Sequence, residues 1–303
     1  MSGRKHSGFA AVSALCISMV GAFVAFTVSA QQAAQTRNPH ADVLSLGGSV
    51  TEIVVALGQG HRLKARDATS TYPSEVTDLP DVGYVRALSP EGVLSVEPSL
   101  ILSEEGAGPP EAIDVIRAAD LDFVEIPDAL TAQGILTKIR TVGDALGVSD
   151  RAATLSSEVE AALADAIADA ERPEAEKKRV LFVLSTQGGK INASGTGTAA
   201  DALIRMAGGV NAVTEYDGYK QITDEAVGLA APDVILMMDR AGVDDTDHGG
   251  ADDELFGIPA IRLTPAAQTR SVIRMDGLLM LGFGPRTAEA VRSLNAALYG
   301  QEG

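Results

Sequence analysis

Tryptophan is absent from this 303-residue chain, cysteine occurs once, and aromatic residues make up only 4% of it. With Cys16 alone, no internal disulfide can form, so any core must be held by packing. Basic residues are also scarce: 24 Lys and Arg stand against 41 Asp and Glu, a net charge of −17. That excess argues against nucleic acid and anionic lipid as partners, and says little about a small ligand, which feels only local charge. The motifs of nucleotide chemistry are missing too. There is no Walker lysine, no G-x-G-x-x-G between a strand and a helix, and no paired nucleophile and base. The glycine runs Gly47-Gly48 and Ser194-Gly195-Thr196-Gly197 permit close approach to a phosphate. Without those partners, an α/β enzyme is the weaker reading.

The long uncharged apolar stretch is confined to Phe9 through Val28, after a basic start at Arg4, Lys5 and His6. It ends Val28-Ser29-Ala30 before Gln31, a small-residue cleavage pattern, so residues 1–30 read as a secretory signal peptide. The alternative is an uncleaved membrane anchor, since the run is long enough to span. Cys16 does not resemble an acylation site, because Leu15 before it is not small. Cleavage would remove the only thiol along with Arg4 and Lys5, leaving 22 basic against 41 acidic residues, or −19.

What is present is a near-duplicate. S-P-E-G-V-L-S-V-E-P-S-L-I-L (Ser89 to Leu102) reappears as T-D-E-A-V-G-L-A-A-P-D-V-I-L (Thr223 to Leu236). In each, a glutamate (Glu91, Glu225) opens a short helix, a proline (Pro98, Pro232) stops it, and an apolar strand follows. Two similar lobes are expected, 41–130 and 178–300, each offering one carboxylate at an equivalent place.

Around these units, strands at Val43 to Leu46, Leu100 to Leu102, Phe123 to Ile126, Val180 to Leu184 and Val234 to Met238 alternate with helices. The helices are expected from Ser49 or Thr51 to Leu57, Pro110 to Ala119, around Leu203, and Arg286 to Leu298. Alternation of this kind implies mostly parallel α/β sheets. A glycine-rich turn is expected from Gly188 to Gly197. Residues 131–172 hold few turn formers, and a helix capped by Ser149 or Asp150 and ending near Ala170 would reach about 30 Å. It reads as a stiff connector between Rossmann-like lobes, or else as a surface helix of one of them.

Four stretches then carry a family likeness: S-L-G-G-S-V-T-E-I-V-V-A-L-G from Ser45, T-S-T-Y-P from Thr69, V-G-Y-V-R-A-L-S-P-E-G-V-L-S from Val82, and L-L-M-L-G-F-G-P-R from Leu278 to Arg286. The chain resembles the periplasmic substrate-binding proteins of ABC importers that carry a rigid inter-lobe helix, and within them the haem-binding branch. Corrinoid and ferric siderophore carriers are the neighbouring alternatives. The resemblance implies a non-enzymatic, monomeric periplasmic carrier that takes haem into an inter-lobe cleft and hands it to a permease dimer.

In that likeness Tyr72 is the axial ligand of ferric haem. Phenolate is a hard anionic donor suited to Fe(III), and cation binding favours its deprotonated form. Read from the residues alone, Tyr72 is first a loop tyrosine packing its ring on the surface, and the flanking family motif is what reverses that reading. Arg240 is implied to face the haem and support the tyrosinate or a propionate, or else it is a solvated arginine paired with Asp239 or Asp244. Arg86, Tyr84, Tyr219 and Lys220 lie in cleft-edge segments, where they stack on porphyrin, meet propionates, or simply serve the surface. Without tryptophan, the apolar slot must come from Met, Leu and Tyr; Phe283 reads as core. The stretch Ser185-Thr186-Gln187-Gly188-Gly189 lacks the histidine that some haem carriers place there, which favours ligation by Tyr72 alone or with Arg240 in support. His248, in an acidic stretch from Asp244, shows no spacing for a fixed metal site. Glu91 and Glu225 are implied to bridge to arginines on the two permease subunits, or else to be helix-start carboxylates favoured by the macrodipole.

Overall fold

The computed structural model describes His40, residues 42–239 and residues 248–300. The expectations for residues 1–30, for Arg240 and for Asp244 to Asp247 fall outside the described residues, as does the side chain of His248.

The first lobe runs β1 (Val43–Leu46), α1 (Gly48–Ala56), β2 (Leu63–Arg66), α2 (Pro90–Ser95), β3 (Leu100–Glu104), α3 (Pro110–Arg117) and β4 (Asp122–Ile126). Its four strands are parallel in the order β2-β1-β3-β4. All of β1 is buried, as is β3 up to Ser103, which is why both read as unbroken apolar runs rather than alternating ones. Two helices follow, α4 (Ala132–Leu146) and α5 (Ser149–Ala170).

The second lobe runs β5 (Arg179–Ser185), β6 (Ile191–Ser194), α6 (Ala199–Met206), β7 (Val210–Asn211), β8 (Tyr219–Ile222), α7 (Asp224–Ala230), β9 (Val234–Asp239), α8 (His248–Gly257), α9 (Pro259–Arg262), α10 (Pro265–Thr269), β10 (Val272–Asp276), α11 (Gly277–Leu281) and α12 (Thr287–Tyr299). Its order is β10-β9-β5-β6-β8, with β7 beside β5. This sheet is mixed: β6 runs antiparallel to both β5 and β8. The stretch expected to be only a turn, Gly188 to Gly197, therefore contains a strand. Four residues, Ile-Asn-Ala-Ser, are too few for a period-two pattern to stand out among glycines.

The repeat holds at the level of atoms. Ser89 and Thr223 cap α2 and α7 by accepting from the N–H groups of Gly92 and Ala226. The residues before the two prolines, Glu97 and Ala231, both turn left-handed, at φ 48 and 41. The prolines are thus preceded by a left-handed stop rather than an extended residue. Beyond them, Ser99 accepts from the N–H of Asp42 at 2.9 Å and Asp233 from that of Arg179 at 2.8 Å, locking β3 to β1 and β9 to β5 alike.

Helix α5 joins the lobes. Its 22 residues extend about 33 Å at about 1.5 Å per residue. At its start Arg151 reaches Gly58, just beyond α1, and at its end the Ala170 carbonyl abuts Gly208, just beyond α6. Buried Ala152, Ser156, Val159, Leu163, Ala166 and Ala170 form one stripe along it. Gly143 of α4 lies against Ala152 so closely that a Cβ would collide, and this lets the two helices touch. One continuous apolar core runs from β1 and α1 through α4 and α5 to β5, α6 and α12. Val148, not Ser149 or Asp150, takes the cap position of α5, because the Ser149 hydroxyl donates to Asp144 at 2.6 Å instead. Among the described residues no helix is long and apolar enough to cross a membrane.

Candidate functional site

The site is built on the buried N–H groups at the start of α1. Any helix leaves these donors unmatched, and neither Ser49 nor Thr51 caps them, contrary to the sequence expectation. Thr51 is engaged with Ser45 and Ser70, each at 2.6 Å, and Ser49 donates to Glu104 at 2.7 Å. The loop after β2 supplies the acceptors. Asp67 takes the N–H of Gly47 at 2.9 Å and Thr69 Oγ1 that of Gly48 at 3.0 Å. The same carboxylate also accepts from the Thr69 N–H, the Thr69 hydroxyl and the Ser70 hydroxyl, at 2.9, 2.6 and 2.7 Å. Gly48 touches both the Thr69 carbonyl and Leu278, leaving no room for a side chain. The backbone donors that a phosphate would have needed are thus used internally.

This anchoring ends at Tyr72, whose peptide bond to Pro73 is cis. Asp67 is fully buried, so Asp67→Ala leaves several donors unsatisfied. The variant is expected to lose about 2 kcal/mol in urea unfolding, with Asp67→Asn milder because it keeps an acceptor oxygen.

Tyr72 is 44% exposed, and the guanidinium of Arg286 lies over its ring at 3.5 Å from the centroid. Arg286 in turn donates from Nη2 to Glu52 Oε2 at 3.0 Å and from its backbone N–H to Oε1 at 3.2 Å. Burial pushes the Glu52 carboxyl up, and the two bonds from Arg286 oppose that shift. Glu52 belongs to the first lobe and Arg286 to the segment leading into α12, so the pair ties the lobes together behind Tyr72.

A second tyrosine faces the gap from the other lobe. Tyr219, 38% exposed, packs edge-on to Phe182 and lies within reach of the positive charge of Arg86 in the first lobe. Burial pushes the Tyr219 phenol up despite hydrogen bonds from Thr198 and Ala200 and the nearby Arg86, so it stays protonated. Tyr216 is raised likewise, by burial first and Glu215 second. Neither suits an anionic oxygen ligand.

Arg86 itself donates to the Gly106 carbonyl at 3.0 Å, and Tyr84, two residues earlier, is 51% exposed. Lys220 does not share the face of Tyr219, because neighbouring strand residues point to opposite sides. Its ammonium lies 5.1 Å from the Tyr216 ring instead. The structure therefore brings together Tyr72 with Arg286, and Arg86 with Tyr219, and separates Lys220 from them. Phe283 is buried, as its motif suggested.

Below this surface lies a group that sequence reasoning missed. Lys138, fully buried, donates to Asp128 at 2.6 Å, Ser49 at 2.9 Å, Glu104 at 3.2 Å and the Gly282 carbonyl at 3.3 Å. The signal was present: Lys138 sits on the apolar stripe of α4 between Ile135, Ile139 and Val142, where a lysine needs a buried partner. Arg286 was visible only as the end of a motif, and nothing local marked Glu52 or Asp67.

Glu91 and Glu225 occupy the same position in the first turns of α2 and α7, and both are exposed. Among the described residues no cluster of His, Cys, Asp and Glu is arranged to hold a metal ion.

Residues 43–278 match the family model described as periplasmic binding protein. Among solved structures, the chain is 38% identical to the periplasmic heme-binding protein RhuT from Roseiflexus sp. RS-1, over 85% of this chain and 97% of that one, with a TM-score of 0.79. It is also 38% identical, over the same shares, to the periplasmic heme-binding protein BhuT in complex with two hemes, with a TM-score of 0.78. Among curated proteins it is 26% identical to the uncharacterized ABC transporter substrate-binding lipoprotein YvrC of Bacillus subtilis strain 168, over 85% of this chain and 79% of that protein.

Proposed function

This chain belongs to the periplasmic binding protein family, and from that premise we propose that it captures haem between its lobes and delivers it to an ABC importer, with Tyr72 as the iron ligand. The observation that carries the ligand assignment is the pairing of an open phenol with a cation. Tyr72 is 44% exposed with Arg286 over its ring, whereas the Tyr219 hydroxyl is engaged with Thr198 and Ala200. Haem asks for a flat apolar surface, an anionic donor for Fe(III), and positive charge for its propionates. Tyr219 and Tyr84 offer amphipathic ring area, Arg86 offers the charge, and Arg240 serves as a further cation. Lys220 has the weaker claim of the two strand neighbours, and meets a propionate only if its side chain leaves Tyr216.

Titrating the purified protein with hemin tests this reading. A Soret band that saturates at one or two equivalents supports it. Absence of a stoichiometric spectral change rules haem out and points to a corrinoid or ferric siderophore.

Residues 1–30 act as a cleaved signal peptide in this reading, and the mature protein works outside the cytoplasm as a monomeric carrier rather than a catalyst. Its units are the lobes 41–130 and 178–300 with the connector 131–172. Glu91 and Glu225, equivalent by the internal repeat and exposed, dock on one basic pocket in each permease subunit. Glu91→Arg and Glu225→Arg are each expected to lower carrier-stimulated ATPase activity of the reconstituted importer about tenfold, the effect of about 1.4 kcal/mol of like-charge repulsion. Hemin binding by the same variants stays at the wild-type level.

A further inference from the structure

Tyr72 and Arg286 are more than two hundred residues apart in the chain, yet the arginine's guanidinium is the group lying against the tyrosine ring, 3.5 Å from its centroid. Two features show that this contact is built rather than incidental. The guanidinium is held from behind by Glu52, a carboxylate only 7% exposed, which also takes the Arg286 backbone N–H. Both the orientation and the backbone of the arginine are therefore set by one buried group. In addition, the Arg286 Nε is buried and has no hydrogen-bond partner among the described residues. A guanidinium free to choose would turn to satisfy that donor, since unmatched buried donors are costly. Here its orientation serves the ring instead.

A cation over an aromatic face is attracted by the ring's electrons. The attraction is stronger for a phenolate, which carries a full negative charge, than for a phenol. A planar guanidinium covers the ring flat, whereas an ammonium acts as a point charge on a flexible stem. We propose that Arg286 is a positioning residue for the iron ligand: locked by Glu52, it holds the Tyr72 ring in one orientation and withdraws electron density from the iron-bound phenolate. The inference rests on Tyr72 ligating haem iron. It assigns the second lobe a part in tuning a ligand that the first lobe supplies, and gives Glu52 a role in haem binding although it is buried behind the ligand.

Ferric haem complexes of the wild type, Arg286→Gln, Arg286→Lys, the double variant Glu52→Gln/Arg286→Gln, and Tyr72→Ala test it. The tyrosinate-to-iron charge-transfer band is read by visible and resonance Raman spectroscopy, and haem loss by transfer to an excess of apo-myoglobin. Arg286→Gln is expected to move the band to longer wavelength, because an uncovered phenolate gives up its electron more readily, and to weaken haem binding about 10- to 100-fold, as loss of a supporting group around a metal ligand does. Arg286→Lys restores the band position more than the dissociation rate. The double variant, which leaves no unpaired buried carboxylate, keeps the red-shifted band and so separates the effect from instability. A wild-type band and dissociation rate in both glutamine-bearing variants, with Tyr72→Ala lacking the band, overturns the role of Arg286 alone. A wild-type band in Tyr72→Ala overturns the ligand assignment, and this inference with it.

Discussion

Tyr72→Ala is expected to lower hemin affinity at least about a hundredfold, or about 3 kcal/mol, and to abolish the tyrosinate-to-iron charge-transfer band. The size follows from what is removed. Arg286 covers a ring rather than offering an oxygen, so it cannot take over coordination. No His, Cys, Asp and Glu cluster among the described residues stands ready to replace the phenolate. Tyr219 is the nearest chemical substitute, but its burial favours the neutral phenol. What remains in the variant is stacking on Tyr84 and Tyr219 and the charge of Arg86, which sustain weak, spectrally altered binding. Tyr219→Phe serves as the comparison and should leave the band in place, since it removes a hydroxyl bonded to Thr198 and Ala200 rather than an iron ligand. Equal Soret titrations for wild type and Tyr72→Ala would refute the assignment.

Lys138→Met is expected to destabilise the protein by about 3–5 kcal/mol in urea unfolding, the usual cost of breaking a buried ion pair on one side. Methionine preserves much of the volume, so the loss is electrostatic: Glu104, Asp128, Ser49 and the Gly282 carbonyl all forfeit one donor. The deficit should depend on pH in a direction set by Glu104. Burial raises its pKa and Lys138 is the largest influence opposing that rise. The folded state therefore holds the Glu104 proton more tightly than the unfolded chain does. Stability from this group is present at low pH and falls as pH climbs through the raised pKa. Removing Lys138 takes away the opposing influence and raises the pKa further. The gap between wild type and Lys138→Met should accordingly narrow between pH 7.5 and pH 5. Adding Glu104→Gln should recover part of the loss at pH 7.5. A gap that stays constant with pH would show that the cluster holds the lobes by packing rather than by charge.

Much of the architecture was legible because it rests on local rules. The paired proline-stopped helices, the apolar β1, β3, β5 and β9, and the long helix α5 each announce themselves within a short window. The pseudo-repeat extends to the hydrogen bonds of Ser99 and Asp233, since similar sequences in similar sheets meet similar neighbours. Strand β6 escaped because four residues among glycines hold too little pattern. The capping of α1 was misread for a different reason. Ser49 and Thr51 are good cap formers by propensity, but the acceptors come from Asp67 and Thr69, about twenty residues away. The separation of Tyr219 from Lys220 became visible only once β8 was known to be a strand.

Residue order alone, then, determined two α/β lobes, a bridging helix and twin carboxylates, which follow from periodicity, turn chemistry and the internal repeat, while Tyr72 stood out only through the family likeness. The tertiary structure decided which charges meet. Lys138 finds its partners across both lobes, Glu52 holds Arg286, and Arg286 covers Tyr72. Apart from Lys138 with Asp128, ten positions away, such pairings join residues from 34 to 234 positions apart. A local pattern cannot encode them, because burial in a shared interior, where an unpaired charge is costly, arises only when the lobes close on one core.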